Sequence, residues 1–220
     1  MDIASYIDHT ILKPTTTVSE VEKICTEAIT YGFAAVCIPP PFVRLAKGLL
    51  TGTAVKVATV IGFPFGYSAI EAKVSEILLA IVDGVDELDM VINLVALKNN
   101  DWAYLAGEIS TIFPLVKGKN KVLKVIVESG VLTEEELIRC CTIYGTAGVD
   151  FMKTSTGYAA TGATVEAVEI MRKHLPSSVK VKASGGIRSA DFALALIAAG
   201  ATRLGTSSGV AIVEQSVEHS

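Results

Sequence analysis

Histidine, tryptophan and cysteine are scarce, at three, one and four in 220 residues. His9, His174 and His219 are scattered without an H-x-x-x-H arrangement, and Cys25, Cys37, Cys140 and Cys141 show no C-x-x-C spacing. The sequence therefore offers no zinc ligand set, and neither a metal nor any other cofactor is expected. Four cysteines, two of them adjacent, do not make a disulfide framework in a chain of this size. Charge is also sparse, at 19% of residues with a net of −4 and no basic block, which leaves no electrostatic footprint for nucleic acid. No apolar run approaches the roughly 18 to 20 residues that span a bilayer. The opening Met-Asp-Ile-Ala-Ser-Tyr lacks a basic segment followed by an apolar one, so no signal peptide is expected. The expectation is a cytoplasmic protein with a small-molecule partner, bound to neither nucleic acid nor membrane.

What the chain has in quantity is apolar residues, 50% of the total, enough to bury a large core in a single domain over residues 1–220. One phrase repeats along it: an amphipathic helix, a glycine, then a β-rich run with a polar end. Gly32, Gly84, Gly148 and Gly200 each precede such a run, where a helix often ends in a left-handed residue. Strands are predicted at residues 6–11, 33–38, 55–62, 85–93, 122–128, 149–155, 179–184 and 201–207. Thr17 with Glu20, Ser68 with Glu71, and Thr133 with Glu136 fit the capping box that starts a helix. After Ser68 the positions Ile70, Val74, Ile77, Leu78 and Ile81 form an apolar stripe at the helical period, with Glu71 and Lys73 off it. Eight alternating strand and helix units suit a closed, parallel, eight-stranded (β/α)₈ TIM barrel. An open doubly wound sheet fits less well, because no G-x-G-x-x-G follows the first strand and polar residues end nearly every strand. Residues 213–220 are expected to fray.

The active site of such a barrel lies at the polar strand ends. On the stretch Val149 to Gly157, alternation puts Phe151 and Lys153 on one face, with the lysine at the junction of strand and loop. A lone lysine there would as readily snorkel into water. Lys182, in the same place on the strand that starts at Val179, suggests instead a pair of amines in which one tunes the other. The same parity turns Asp89 inward on the strand containing Glu87 to Asn93 and sets Lys124 beside it. A structural ion pair would explain Asp89 and Lys124 in isolation. With two further inward lysines, a proton-handling cluster is the better reading. Two loops look built for phosphate: Ser184-Gly-Gly-Ile-Arg188, and Gly205-Thr-Ser-Ser-Gly209 at the start of the last helix. Glycines let backbone N–H groups approach an oxyanion, and a helix start favours negative charge. This marks Ser184, Gly185, Gly186, Gly205, Ser207 and Ser208, together with Gly157 at the end of the lysine loop.

These residues carry a resemblance. Ile7-Asp-His-Thr-Ile-Leu-Lys-Pro14, Gly62-Phe-Pro-Phe-Gly66, Glu87-Leu-Asp-Met-Val-Ile-Asn93, Phe151-Met-Lys-Thr-Ser-Thr-Gly157, Val181-Lys-Ala-Ser-Gly-Gly-Ile187 and Gly205-Thr-Ser-Ser-Gly209 together resemble the deoxyribose-phosphate aldolase family, in order and over nearly the whole chain. The resemblance implies a metal-independent class I aldolase that interconverts 2-deoxy-D-ribose 5-phosphate with D-glyceraldehyde 3-phosphate and acetaldehyde. It makes Lys153 the Schiff-base lysine, Lys182 the lysine that perturbs it, and Asp89 the relay carboxylate. Asp8, Thr10, Cys37, Asn93 and Lys124 are further candidates for the site lining. For Cys37, a small buried core residue is an equally good reading. Tyr158 stands where some members carry lysine, and the chain ends Glu218-His-Ser without the tyrosine that some members carry. The implied partners are a sugar phosphate and aldehydes, with a homodimer as the candidate assembly.

The chemistry requires a neutral amine, whereas an ordinary lysine is almost wholly protonated at neutral pH. A second ammonium about 5 Å away, at an effective dielectric of ~20, opposes that charge by roughly 3 kcal/mol, and Lys182 is placed to supply it. Two other classes remain open on sequence alone: another phosphate-binding barrel enzyme, transaldolase-like or an isomerase, and a catalytically silent sugar-phosphate binding protein. Inward Lys153, Lys182 and Asp89 argue against the second, since phosphate binding needs none of them.

Overall fold

The computed structural model describes residues 2–218. Eight strands, β1 (Ile7–Thr10), β2 (Ala35–Ile38), β3 (Lys56–Ile61), β4 (Glu87–Val91), β5 (Val122–Ile126), β6 (Phe151–Lys153), β7 (Lys180–Ser184) and β8 (Arg203–Thr206), pair in parallel in chain order. β8 returns to β1, with Asp8 opposite Gly205, and the barrel closes. All eight predicted strands are present, each within its expected limits. Around them run α1 (Val18–Tyr31), α2 (Val43–Leu49), α3 (Ile70–Val82), α4 (Leu94–Lys98), α5 (Trp102–Lys117), α6 (Glu134–Ala147), α7 (Val165–His174), α8 (Ala190–Ala198) and α9 (Gly209–Glu218).

The main apolar core lies between barrel and helices. The outward residues of the strands, among them Val36, Leu88, Met90, Leu123, Val125, Met152, Val181 and Leu204, pack there with helix residues such as Ile77, Ile112 and Val168. Each such side chain contributes about 1.5–3 kcal/mol on burial. A smaller apolar patch of Cys37, Ala58 and Val60, joined by Leu12 and Phe63, lines the barrel interior on the β2–β3 side. Beside it the interior carries a layer of charged side chains from β1 and β4 to β8, which is the feature that positions the site.

Local signals explain most helix ends. Thr17 and Thr133 form complete capping boxes with Glu20 and Glu136, and Gly32 and Gly148 end α1 and α6 in the left-handed conformation. The expected box at Ser68 does not form. Ala69 is the N-cap of α3, so Glu71 falls on the second helical residue, one short of the place from which it could reach back. The buried face of α3 is also rotated from the expected stripe: Lys73, Ile77 and Ala80 are buried, while Leu78 is exposed. Lys73 tolerates burial because its ammonium donates to Glu108 at 2.6 Å and to the Val91 carbonyl at 2.7 Å. The fraying expected of residues 213–220 falls partly outside the described residues. α9 continues through Glu218, which covers the described part of residues 213–220, and residues 219–220 lie outside the described residues.

Candidate active site

Register brings the inward lysines together. Lys153 lies opposite Lys182 across β6 and β7, and Lys124 lies opposite Asp89 across β4 and β5. Asp89 is the hub: Oδ1 accepts from Lys124 at 2.8 Å, and Oδ2 accepts from Lys153 at 2.8 Å and from Lys182 at 2.7 Å. Lys182 makes a second, short contact with Asp8. Beneath them Lys124 approaches Glu87 at 2.5 Å, and Arg203 donates to Asp8 at 2.5 Å and to Glu87 at 3.2 Å. The Phe151 ring closes this layer, with the Lys124 ammonium 6.0 Å and the Arg203 guanidinium 5.7 Å from its centroid.

Three carboxylates, Asp8, Glu87 and Asp89, thus face four bases, Lys124, Lys153, Lys182 and Arg203. The four bases do not share these carboxylates equally, and the one with least carboxylate support holds its proton least firmly. The contacts select Lys153. Burial depresses it, Asp89 partly offsets this, and the Lys182 ammonium depresses it further, so its pKa lies below that of an ordinary lysine. Lys182 goes the other way: burial opposes its charge, but Asp8 and Asp89 together raise its pKa. Lys124 is raised against the same burial by Asp89, Glu87 and Asp8. Asp89 overcomes full burial to stay ionised well below the carboxylate range, because three lysines point at it. The Lys182 ammonium is one cause of the Lys153 shift, and burial is the larger one.

Lys153, only 2% exposed, opens onto a cavity of about 740 Å³ at the C-terminal end of the barrel. Gly157, Ser184, Gly185 and Gly186 line one part of it, and Thr10, Gly205, Ser207 and Ser208 another. Ser208 immediately precedes α9 and donates its N–H to Thr206 Oγ1 at 2.9 Å. The glycine loops predicted to hold phosphate thus converge on the lysine cavity. Tyr158 reaches across the mouth: its hydroxyl donates to the Leu12 carbonyl at 2.7 Å, and its ring stands edge-on to Phe63.

Lys182, Asp89, Asp8 and Lys124 do not line this cavity; they form the buried layer beneath Lys153. Cys37 lies in the interior apolar patch beside the charged layer, its thiol pushed up by burial and by Asp89 against the three lysines. Asn93 is not a lining residue either. It is the N-cap of α4, its Oδ1 accepting the Ala96 N–H at 3.0 Å, because β4 ends at Val91 and the chain has left the barrel interior by residue 93. Two largely buried charged residues beside the site were missed. Arg203 was legible by parity, two positions before Gly205 on β8. Glu128 was legible in the same way, four positions after Lys124, but its turned backbone lies beyond the end of β5.

A family model described as DeoC/LacD family aldolase matches residues 3–215. A deoxyribose-phosphate aldolase of Thermococcus gammatolerans is 53% identical over 216 residues, covering 97% of this chain and 96% of that protein. One from Clostridium perfringens is 48% identical over 218 residues, covering 99% and 97%. Among solved structures, the tetrameric deoxyribose phosphate aldolase of Aeropyrum pernix superposes with a TM-score of 0.91 at 34% identity, covering 99% of this chain and 92% of that one.

Proposed function

The chain belongs to the DeoC/LacD family of aldolases, and from that premise we propose that it reversibly cleaves 2-deoxy-D-ribose 5-phosphate through a Schiff base on Lys153. The observation that carries the assignment is the unequal sharing of Asp89. Lys182 has two carboxylates and keeps its proton, whereas Lys153 has one shared carboxylate, a depressed pKa and access to the cavity.

The neutral Lys153 amine adds to C1 of the open-chain sugar, and loss of water gives an iminium. The iminium draws the electron pair of the C2–C3 bond, while the C3 hydroxyl proton leaves and C3 becomes a carbonyl. Asp89 receives that proton through a water, since it lies below the cavity floor, and Lys182 holds the carboxylate in place. D-Glyceraldehyde 3-phosphate departs. Protonation of the enamine at C2 and hydrolysis then release acetaldehyde and restore the amine. Backbone N–H groups of the Gly185–Gly186 turn and the start of α9, with Ser207 and Ser208, hold the phosphate.

No described helix is long and apolar enough to cross a membrane; this reading places the enzyme in the cytoplasm. It also includes a homodimer, for which exposed Leu79 and Val82 on α3 offer an apolar face; sedimentation velocity tests this. Borohydride reduction in the presence of acetaldehyde, followed by peptide mapping, tests the chemistry. A two-carbon adduct on Lys153, with activity undiminished by a chelator, is expected. An adduct on Lys182 instead overturns the assignment.

A further inference from the structure

Glu128 takes no part in the chemistry above, yet its carboxylate is buried beside the site, with the residue only 3% exposed. Val127 still donates to the Lys153 carbonyl at 3.0 Å, continuing the β5–β6 ladder. Glu128 then turns left-handed, with φ 55° and ψ 57°, which brings the Ser129 N–H to the Thr154 carbonyl at 2.7 Å. A non-glycine residue in that conformation costs about 1–2 kcal/mol, and an unpaired buried carboxylate costs several more. Both unfavourable features serve one contact. The two carboxylate oxygens accept the Thr156 N–H at 3.2 and 3.3 Å, and Oε2 also accepts the Thr156 hydroxyl in a short bond. Thr156 Oγ1 accepts in turn from the Tyr158 N–H at 3.0 Å. Three donors on the loop after β6 are thereby ordered, directly or through Thr156, by one side chain from the end of β5.

That loop forms a wall of the cavity through Thr156, Gly157 and Tyr158. It lies against the phosphate loop: a Cβ added at Gly185 would stand 3.4 Å from the Gly157 Cα and 3.1 Å from the Gly162 Cα, and the Gly185 carbonyl accepts the Ala163 N–H at 3.0 Å. Ser184 ties the two loops together, so a shift of one is passed to the other: its hydroxyl donates to the Ser155 carbonyl at 2.5 Å and its N–H to Thr154 Oγ1 at 3.0 Å.

We propose that Glu128 is a positioning residue for the phosphate end of the substrate, acting through Thr156 to set the Gly157 turn against Gly185. The proposal rests on the aldolase reading, with phosphate held at the loops after β7 and β8. Glu128→Gln keeps one acceptor oxygen but replaces the other with an NH₂ donor that faces the Thr156 N–H or hydroxyl, and it removes the charge; Thr156→Val removes the hydroxyl link from the other side. Steady-state constants for both variants and for the double variant should be measured with 2-deoxyribose 5-phosphate and with free 2-deoxyribose. Each single change should raise KM for the phosphorylated sugar by about tenfold. Values of kcat should stay within about twofold, the constants for the free sugar should hardly move, and acetaldehyde trapping on Lys153 should persist. The double variant should be no worse than the worse single one, because both act through one link. Equal losses on the two sugars, a loss confined to kcat, or additive losses in the double variant overturn the role of Glu128. A wild-type enzyme that traps acetaldehyde on Lys153 but shows no preference for the phosphorylated sugar removes the phosphate reading, and this proposal with it. If Glu128→Gln does not fold, Thr156→Val decides alone, and an unchanged KM in that variant overturns the proposal.

Discussion

Lys153 and Lys182 lie opposite each other on β6 and β7 and donate to the same oxygen, Asp89 Oδ2, at 2.8 and 2.7 Å. What separates them is Asp8, which reaches Lys182 and not Lys153. A second carboxylate on one of two neighbouring amines decides which of them holds its proton less firmly. The remaining amine is the one that faces the cavity.

Lys182→Met tests that asymmetry. The change deletes the ammonium that depresses Lys153 and also frees Asp89 to favour the charged form of Lys153; both effects raise the Lys153 pKa. Near pH 7 kcat/KM should fall by about a hundredfold, the equivalent of roughly 3 kcal/mol for a charge about 5 Å away at an effective dielectric of ~20. The loss should shrink as pH rises toward 10, because the neutral fraction recovers. A folded variant displaced by a constant factor at every pH would show that Lys182 participates directly and does not tune.

Gly205→Ala reaches the same lysine by steric means. Gly205 lies on β8 beside β7, and an added Cβ would fall 3.0 Å from the Lys182 Cε and 2.9 Å from the Ser184 Cβ. One of the two must move, and Lys182 has the more flexible side chain. A shift of a fraction of an ångström in the buried layer should lower kcat by about ten- to a hundredfold. Circular dichroism should show a folded barrel. A wild-type kcat would mean that the displacement is absorbed on the Ser184 side.

Most of the buried charged layer was legible in the sequence because a strand has period two. Once Lys153 was set inward, Phe151 followed, and the same rule placed Asp89, Glu87 and Lys124 correctly. It failed where the strand stopped: Asn93 kept the inward parity but belongs to a helix cap, and Glu128 follows a turned backbone that no alternation rule describes. Helix faces were less legible. Lys73 was excluded from the α3 stripe as a charge, and its burial depends on Glu108, 35 residues away on α5. The dominance of burial in the Lys153 shift is likewise a property of the closed barrel, whereas the neighbouring lysine could be read from two strand ends.

Ser208→Asp addresses the phosphate end. Ser208 lines the cavity just before α9, where the helix start favours an anion. A carboxylate there competes with the phosphate and repels it. KM for 2-deoxyribose 5-phosphate should rise by at least tenfold, while that for free deoxyribose changes by less than about twofold, and added salt should narrow the gap. Equal effects on the two sugars would place the phosphate elsewhere.

Acid stability should report the charged layer directly. Lys182, Lys124 and Arg203 hold the Asp8 carboxyl far below its ordinary range, against the opposing effects of burial and Asp89. In the unfolded chain Asp8 titrates near 3.9. Above that value both states are ionised, and the stabilisation is fully present. As pH falls below it, the unfolded chain takes up a proton that the folded protein refuses, so stability is lost progressively toward the depressed folded value. Asp8→Asn removes this contribution and leaves Lys182 and Arg203 each short of a carboxylate, at a cost of about 3–5 kcal/mol near neutrality. Urea midpoints of wild type and variant should therefore differ most between pH 5 and 7, and the gap should narrow steadily as pH falls below about 4 toward the depressed folded value. A gap that stays constant over that range would mean that Asp8 contributes by packing and hydrogen bonding alone, with its charge making no difference to folding.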